Sequence, residues 1–341
     1  MKPELPFVSF EVTMSCNLKC RFCYNHHKTT GETPLTSSYR LLDKTLRRIF
    51  KVFKVGQVTF TGGEPFMGER FGELVLTARL KGARVAVISN GNFAKEEKYI
   101  QLTKLGVKLF ELPVHSYEPE IHDFMTRCKG SHAKSVSIIN ALQNCGATPA
   151  AVIVLTKFNA KNAGETVRYI SSLGIKKIML NRYNIGGEGV ECPSEILPTK
   201  YQLQNAFQEI SFEALKCGIS VFSGVCTPHC ILNPKDYRGI HFSSCSFDFT
   251  KRPITIDYLG NLRFCNHSPV VLGNIFTDSA EKILQNPELK KWESLVPDFC
   301  KDCKEYSVCK GGCRAASQQC GLGLDKPDPV LSFLSAPCQP A

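Results

Sequence analysis

The sequence predicts an α/β protein: a partial (β/α)6, TIM-like barrel over residues 1–217, followed by a small cysteine-rich domain over 218–341. Three observations lead there. Short β-branched apolar runs alternate with helical periodicity between residues 8 and 215. Each distinctive polar or cysteine motif directly follows one of those runs. Beyond about residue 217 the periodicity thins, Gly, Pro and Cys become frequent, and eleven of the seventeen cysteines lie at or past that point.

The strands read in order are "VSFEV" (8–12), "VTF" (58–60), "VAVI" (85–88), "LFELPV" (109–114), "AVIVL" (151–155) and "IMLN" (178–181). Between the first two lies "TSSYRLLDKTLRRIFKVFK" (36–54), where Leu42, Leu46, Ile49 and Phe53 share one helical face and Thr36 or Ser37 is the expected N-cap. "SHAKSVSIINALQN" (131–144) repeats that spacing. Six strand–helix units imply a parallel sheet with right-handed crossovers, two units short of a closed barrel. The second domain is expected to be organised by ligands more than by a core.

Composition narrows the classes. The 341 residues, 43% hydrophobic, are enough for a large core or two domains. No apolar run approaches the roughly 18 residues of a membrane span, and "MKPELPF" enters a strand without a signal peptide, so a cytoplasmic protein is expected. Cysteine is about 5% of the chain, below the ~8–10% of disulfide scaffolds, which favours metal ligands. The formal charge of +11 fits a solvated basic surface or a docking face for an acidic electron carrier or peptide. The basic residues are scattered without aromatic interleaving, so no nucleic-acid partner is expected.

In parallel β/α architectures the chemistry collects beyond the C-terminal ends of the strands. Here "CNLKCRFC" follows the first strand, "TGGEP" (61–65) the second and "SNGN" (89–92) the third. "HSYEPEIHD" (115–123), "TKFN" (156–159) and "NRYNIGG" (181–187) follow the other three, describing one site ringed by six loops. Three thiolates can hold three irons of a [4Fe–4S] cube and leave the fourth iron open for a small molecule. Gly62 and Gly63 would let backbone approach that molecule, Glu64 would accept from an ammonium group, and Ser89 and Asn90 suit a ribose. His115 and Ser116 end the fourth strand, as a substrate or cofactor contact or as simple strand-end hydrogen bonding. His26 and His27 read as surface or packing residues.

Cys16-x3-Cys20-x2-Cys23 followed by Gly62-Gly63-Glu64-Pro65 resembles the radical S-adenosylmethionine (SAM) superfamily. The resemblance implies that Cys16, Cys20 and Cys23 ligate a cluster whose open iron chelates SAM, and that an electron from it releases a 5′-deoxyadenosyl radical. It places Phe22 near the adenine, the Gly62–Glu64 run at the methionine amino group and Ser89 and Asn90 at the ribose, with Arg182 a candidate partner of the SAM carboxylate. Cys245-x14-Gly260-x4-Cys265, then Cys300-x2-Cys303-x5-Cys309-x3-Cys313, resembles the SPASM extension, which carries two auxiliary [4Fe–4S] clusters. By that analogy one cluster uses Cys245, Cys265 and Cys313 with Cys230, Cys226 being the rival. The other uses Cys300, Cys303 and Cys309 with a distal cysteine. The family commonly has that cysteine after a "DP" like Asp328-Pro329, but Val330 and Leu331 follow here, so Cys320, with Cys338 as alternative, is the expected ligand. Cys128, Cys145, Cys192 and Cys217 read as ordinary thiols.

SPASM enzymes mostly modify peptides or proteins, and an unclosed barrel leaves a lateral slot for a chain. The reading favoured is oxidative modification or cross-linking of a residue in a ribosomally made peptide. A sulfatase-maturing activity competes, but its proton acceptor is an aspartate where this chain has Asn266, and an amide is no general base. His267 is adjacent but would point to the other side of an extended chain. It and His115 are the candidate catalytic residues. A small substrate such as a modified tetrapyrrole is a third reading, and a non-catalytic Fe–S or zinc scaffold a fourth. By analogy the electron donor is a flavodoxin or ferredoxin. Fifteen residues precede Cys16, so leader recognition is expected to use a separate protein or the basic surface.

Overall fold

The structure is a computed structural model that describes residues 2–29, 38–246, 248–249 and 252–335. All six expected strands are present and parallel: β1 (Glu4–Glu11), β2 (Lys54–Thr61), β3 (Arg84–Ile88), β4 (Leu109–Pro113), β5 (Ala150–Leu155) and β6 (Lys177–Arg182). The sheet runs on past residue 217. β7 (Ser220–Ser223) and β8 (Ile240–Phe242) add to the β6 side in parallel. On the other side β9 (Ile254–Asp257) pairs parallel to β1, and β10 (Asn261–Arg263) and β11 (Val271–Asn274) follow antiparallel. The order is linear, β11-β10-β9-β1 through β8, with β11 and β8 at the edges. Strands of three or four residues carry too few alternations to stand out from a Gly- and Pro-rich background.

The connecting helices are α1 (His26–Thr29), α2 (Tyr39–Val52), α3 (Phe71–Leu80), α4 (Glu96–Lys104), α5 (Pro119–Thr126), α6 (Ser131–Asn144), α7 (Ala163–Ser172) and α8 (Lys200–Cys217). The α2 stripe Leu42, Leu46 and Ile49, with Phe53 just past its end, is fully buried. Ser38 caps it, its Oγ accepting from Leu41 N at 3.4 Å; Thr36 and Ser37 lie outside the described residues. α6 has the bounds its periodicity predicts and buries Ile138, Ile139 and Leu142. β1 lies inside the sheet between β9 and β2, with Phe10 in register with Phe60 and the two rings edge-on at 6.0 Å.

The cysteine-rich part is built on an apolar core, contrary to expectation, and shares it with the barrel: Ile254, Ile256, Leu262, Phe264 and Trp292 are buried in the same cluster. A buried ion pair between Glu11 on β1 and Arg263 on β10 adds a polar tie across that junction.

Candidate functional site

The six motif loops all leave the same end of the sheet. The Cys16–Cys23 loop is set by backbone pairing: Gly63 N donates to Thr13 O (2.7 Å) and Glu64 N to Ser15 O (2.8 Å). A Cβ on Gly62 would lie 2.2 Å from Thr13 O, and one on Gly63 would lie 2.0 Å from Ser15 O. The two glycines thus let the second loop run against the segment that delivers Cys16. Cys23 N donates to Cys20 O at 3.2 Å, closing a turn between the second and third thiols. Leu18 N and Asn90 Nδ2 each donate to Cys16 Sγ at 3.5 Å.

Two expected small-molecule contacts, Glu64 and Ser89, are engaged within the protein. The Glu64 carboxylate is fully buried and accepts from Ser89 Oγ (2.9 Å), Asn90 N (2.7 Å) and Phe66 N (3.2 Å), so it ties the second loop to the third rather than facing an ammonium group. Burial raises its pKa to about 7, against the pull of those donors. Ser89 is buried and its hydroxyl also meets Tyr99 OH on α4 at 2.6 Å, which removes it from reach of a ribose. Asn90 stays partly exposed, its amide on Cys16 Sγ and on Asn17 Oδ1.

Arg182 is likewise taken up elsewhere. Its guanidinium makes a fully buried ion pair with Asp328 and donates to Thr227 Oγ1, Tyr183 O and Cys226 O. A SAM carboxylate would therefore compete with Asp328 for this guanidinium. Phe22 packs edge-on against His115, ring centroids 4.6 Å apart. His115 is buried; its Nδ1 accepts from Val154 N (3.2 Å), placing the proton on Nε2, and burial holds its pKa well below the usual value. Ser116 Oγ accepts from Glu118 N at 3.0 Å, a turn contact.

The C-terminal cysteines fall into two groups. In the first, Cys226 and Cys245 share a hydrogen bond, with Cys265 and Cys313 close by. Arg252 Nη1 reaches Cys245 Sγ at 3.8 Å, and its charge also acts on Cys226 and Cys265. The Cys226 thiol, Arg252 and the Arg314 N–H hold the Cys245 pKa down to about 6 despite burial. Backbone N–H groups of His267 and Ser268 donate to Cys265, and Asn184 Nδ2 donates to Cys313 Sγ at 3.3 Å. The second group is Cys300, Cys303, Cys309 and Cys230, with His229 N donating to Cys309 Sγ at 3.3 Å.

Two expected placements change as a result. Cys226, not Cys230, joins Cys245, Cys265 and Cys313. Cys320 sits beside Tyr183 and Asp328, apart from the Cys300 group, and Cys338 lies outside the described residues.

Tyr24 lies between the Cys23 loop and Cys265. The His267 ring stacks on it at 3.8 Å, and Asn266 Nδ2 donates to its hydroxyl at 2.6 Å. The expected divergence of Asn266 and His267 fails because the chain turns after Cys265 instead of staying extended. His267 Nδ1 lies 2.7 Å from Asn184 Nδ2 and accepts from it, and burial lowers its pKa to about 3, aided by Arg182, Arg252 and Arg263. The sequence assigned no role to Tyr24, Asn184 or Arg252: Asn266, His267 and Cys313, to which Tyr24 and Asn184 are hydrogen-bonded, lie 83 to 242 residues from them, and Arg252 meets its thiols only in the folded chain.

The donor set fits iron–sulfur clusters: three, four and four thiols, each group with N–H donors aimed at its sulfurs, as cluster thiolates require. Among the described residues no three Cys, His, Asp or Glu side chains converge on a single-ion point. No helix of the described residues is long and apolar enough to cross a membrane.

Comparison with known proteins agrees. The radical SAM superfamily profile matches residues 10–171 and that of the SPASM iron–sulfur cluster-binding domain matches 245–314. The PqqA peptide cyclase of Methylocella silvestris is 23% identical over 94% of this chain and 85% of its own length. The mycofactocin maturase MftC of Mycolicibacterium smegmatis is 25% identical over 94% of this chain and 81% of its own. Among solved structures, Streptococcus suis SuiB bound to SAM superimposes with a TM-score of 0.72 at 15% identity, covering 96% of this chain and 77% of SuiB. SuiB bound to its precursor peptide SuiA gives 0.67 at 14% identity, covering 96% and 75%. The cofactors of this chain are [4Fe–4S] clusters and SAM. The chain carries a radical SAM domain followed by a SPASM domain and belongs with the radical SAM enzymes.

Proposed function

We propose that this enzyme oxidatively modifies or cross-links a residue in a ribosomally made peptide. The observation that carries the reading is the placement of the first cysteine loop and the first C-terminal thiol group on either side of Tyr24, at the motif end of a sheet whose edges stay unjoined. The names of the relatives, a peptide cyclase and a maturase, point the same way.

In this reading Cys16, Cys20 and Cys23 hold the cluster that binds SAM, with Phe22, Asn90 and the partly exposed backbone of Gly62 and Gly63 as SAM contacts. Cys226, Cys245, Cys265 and Cys313 hold the first auxiliary cluster. When bound, the cofactors would supply the redox chemistry, a SAM-derived radical for one hydrogen atom and an auxiliary cluster for the remaining electron, with the accompanying proton passing to solvent. Asn90 and Asn184 donate to sulfurs of the two groups and hold them in orientation. Tyr24 and His267 form a packed aromatic wall between them. A sulfatase-type proton acceptor is lacking on that wall, since Asn266 is an amide spent on Tyr24 and Nδ1 of His267 is occupied by Asn184. The electron donor is a flavodoxin or ferredoxin drawn by the basic surface, leader recognition falls to a separate protein or to that surface, and the cytoplasm is the reducing compartment such thiolates need.

The test is anaerobic co-expression with a short peptide encoded beside this gene, followed by mass spectrometry. A loss of two hydrogens, located by fragmentation, is expected. An unchanged peptide with 5′-deoxyadenosine still formed would overturn the peptide reading in favour of a small-molecule substrate.

A further inference from the structure

We propose that Cys230 closes the second auxiliary cluster together with Cys300, Cys303 and Cys309, in place of a cysteine distal to residue 313. The inference rests on the reading above that the thiol groups hold clusters. Two segments of identical spacing, Cys226-Thr-Pro-His-Cys230 and Cys309-Lys-Gly-Gly-Cys313, pack against each other in opposite directions. Gly312, beside Cys313, lies against the middle of the first segment: a Cβ on it would be 2.7 Å from Cγ and Cδ of Pro228. At one end Cys226 meets Cys313 and Cys245. At the other, His229 N donates to Cys309 Sγ at 3.3 Å, which delivers the next residue, Cys230, to the second group.

Local geometry keeps these ends apart. Lys310, Gly311 and Gly312 all have left-handed backbone, with φ of 58°, 78° and 83°, so Cys309 and Cys313 turn to different groups. Ile231 N and Leu232 N both bond to Pro228 O, at 2.9 and 3.1 Å, a tight turn that separates Cys226 from Cys230 in the same way. Glu305, inside the Cys303–Cys309 loop, meets Lys235 Nζ at 3.2 Å and His229 Nδ1 at 3.6 Å, holding the upstream segment on that loop.

Among the described residues, the distal candidate is placed otherwise. Cys320 follows the helix Arg314–Gln319, which leads away to Tyr183 and Asp328. The position after Asp328-Pro329 is Val330, fully buried in the apolar core. A ligand supplied from upstream leaves no need for a thiol there. Four thiolates also leave no open iron, so this cluster transfers electrons and does not bind the peptide.

The test is differential alkylation of the cluster-loaded full chain under anaerobic conditions: iodoacetamide first, then a chelator, then isotopically distinct iodoacetamide, with peptide mapping. Cys230 should take the second label together with Cys300, Cys303 and Cys309, while the exposed Cys145 and Cys192 take the first. First-label Cys230 with Cys300, Cys303 and Cys309 still protected would overturn the inference and leave the cluster reading standing. First label on all four would overturn both. As a second arm, Cys230→Ala should lose about four irons of about twelve, or yield a three-iron EPR signal, and Cys320→Ala should change neither. Loss of iron in Cys320→Ala alone would overturn the inference.

Discussion

The two cysteine regions of this protein are built on opposite plans. At the N-terminal end the three thiols sit in one loop, positioned by two backbone hydrogen bonds from the glycine loop of β2. At the C-terminal end eight thiols from 226 to 313 interleave, so that cysteines four residues apart part company and cysteines 87 apart, Cys226 and Cys313, come together. A local site can be read from spacing. An interleaved one cannot, because each x3 spacer is a chain reversal whose partner is another reversal. In the proposed assignment the difference also divides the work: a loop with three ligands would keep a vacancy for SAM, while groups of four would close on themselves.

Breaking the local plan should have the largest effect. Any one of Cys16→Ala, Cys20→Ala or Cys23→Ala should reduce 5′-deoxyadenosine formation, followed by chromatography, to the background of the metal-free chain. Persistent formation would contradict the ligand assignment.

A pair of glycine variants sharpens the contrast. Gly312→Ala sets a Cβ against Pro228 and 2.8 Å from Asp328 Oδ2 at φ 83°, at a cost of roughly 3–5 kcal/mol. It should deplete iron from both auxiliary groups and spare the first. Gly63→Ala, with its Cβ 2.0 Å from Ser15 O, should do the reverse, and iron counts with EPR distinguish the two. Equal losses in both variants would mean that the regions are not independent.

Arg182 and Asp328 knit the interleaved region to β6. Arg182→Met leaves a buried carboxylate unpaired and should cost about 3–5 kcal/mol, seen as a lower thermal midpoint. Adding Asp328→Leu should recover part of that loss, and no recovery would point instead to the Asp328 bond with Cys313 N at 2.8 Å.

The smallest effect is a pH dependence in the local region. The Glu64 pKa is raised from 4.5 to about 7, so its contribution to stability is full below pH 4.5, declines as pH rises to about 7 and is flat above. Wild-type thermal stability relative to Glu64→Gln should therefore fall across that window, by up to about 3 kcal/mol. A difference curve without slope would show that the three donors already offset the burial.

Much of the barrel was legible. The α2 stripe and the six central strands follow period 3.6 and period 2, and the six motifs lie at one end because parallel strands put them there. The misread residues were those whose neighbours come from tertiary structure. Ser89 and Asn90 are adjacent short polar residues, yet the Ser89 hydroxyl is buried against Tyr99 of α4 while the Asn90 amide stays partly exposed. Asn266 and His267 would diverge on a strand, but the turn after Cys265 brings both onto Tyr24. Arg182 meets a carboxylate 146 residues away that no local pattern announces.

The most direct test of the central claim, one open cluster and two closed ones, is iron and acid-labile sulfide per chain after anaerobic reconstitution, with EPR recorded before and after SAM. Roughly twelve irons and twelve sulfides are expected, with SAM shifting the signal of a single cluster. Zinc in place of iron, about eight irons, or a spectrum that SAM leaves unchanged would contradict it.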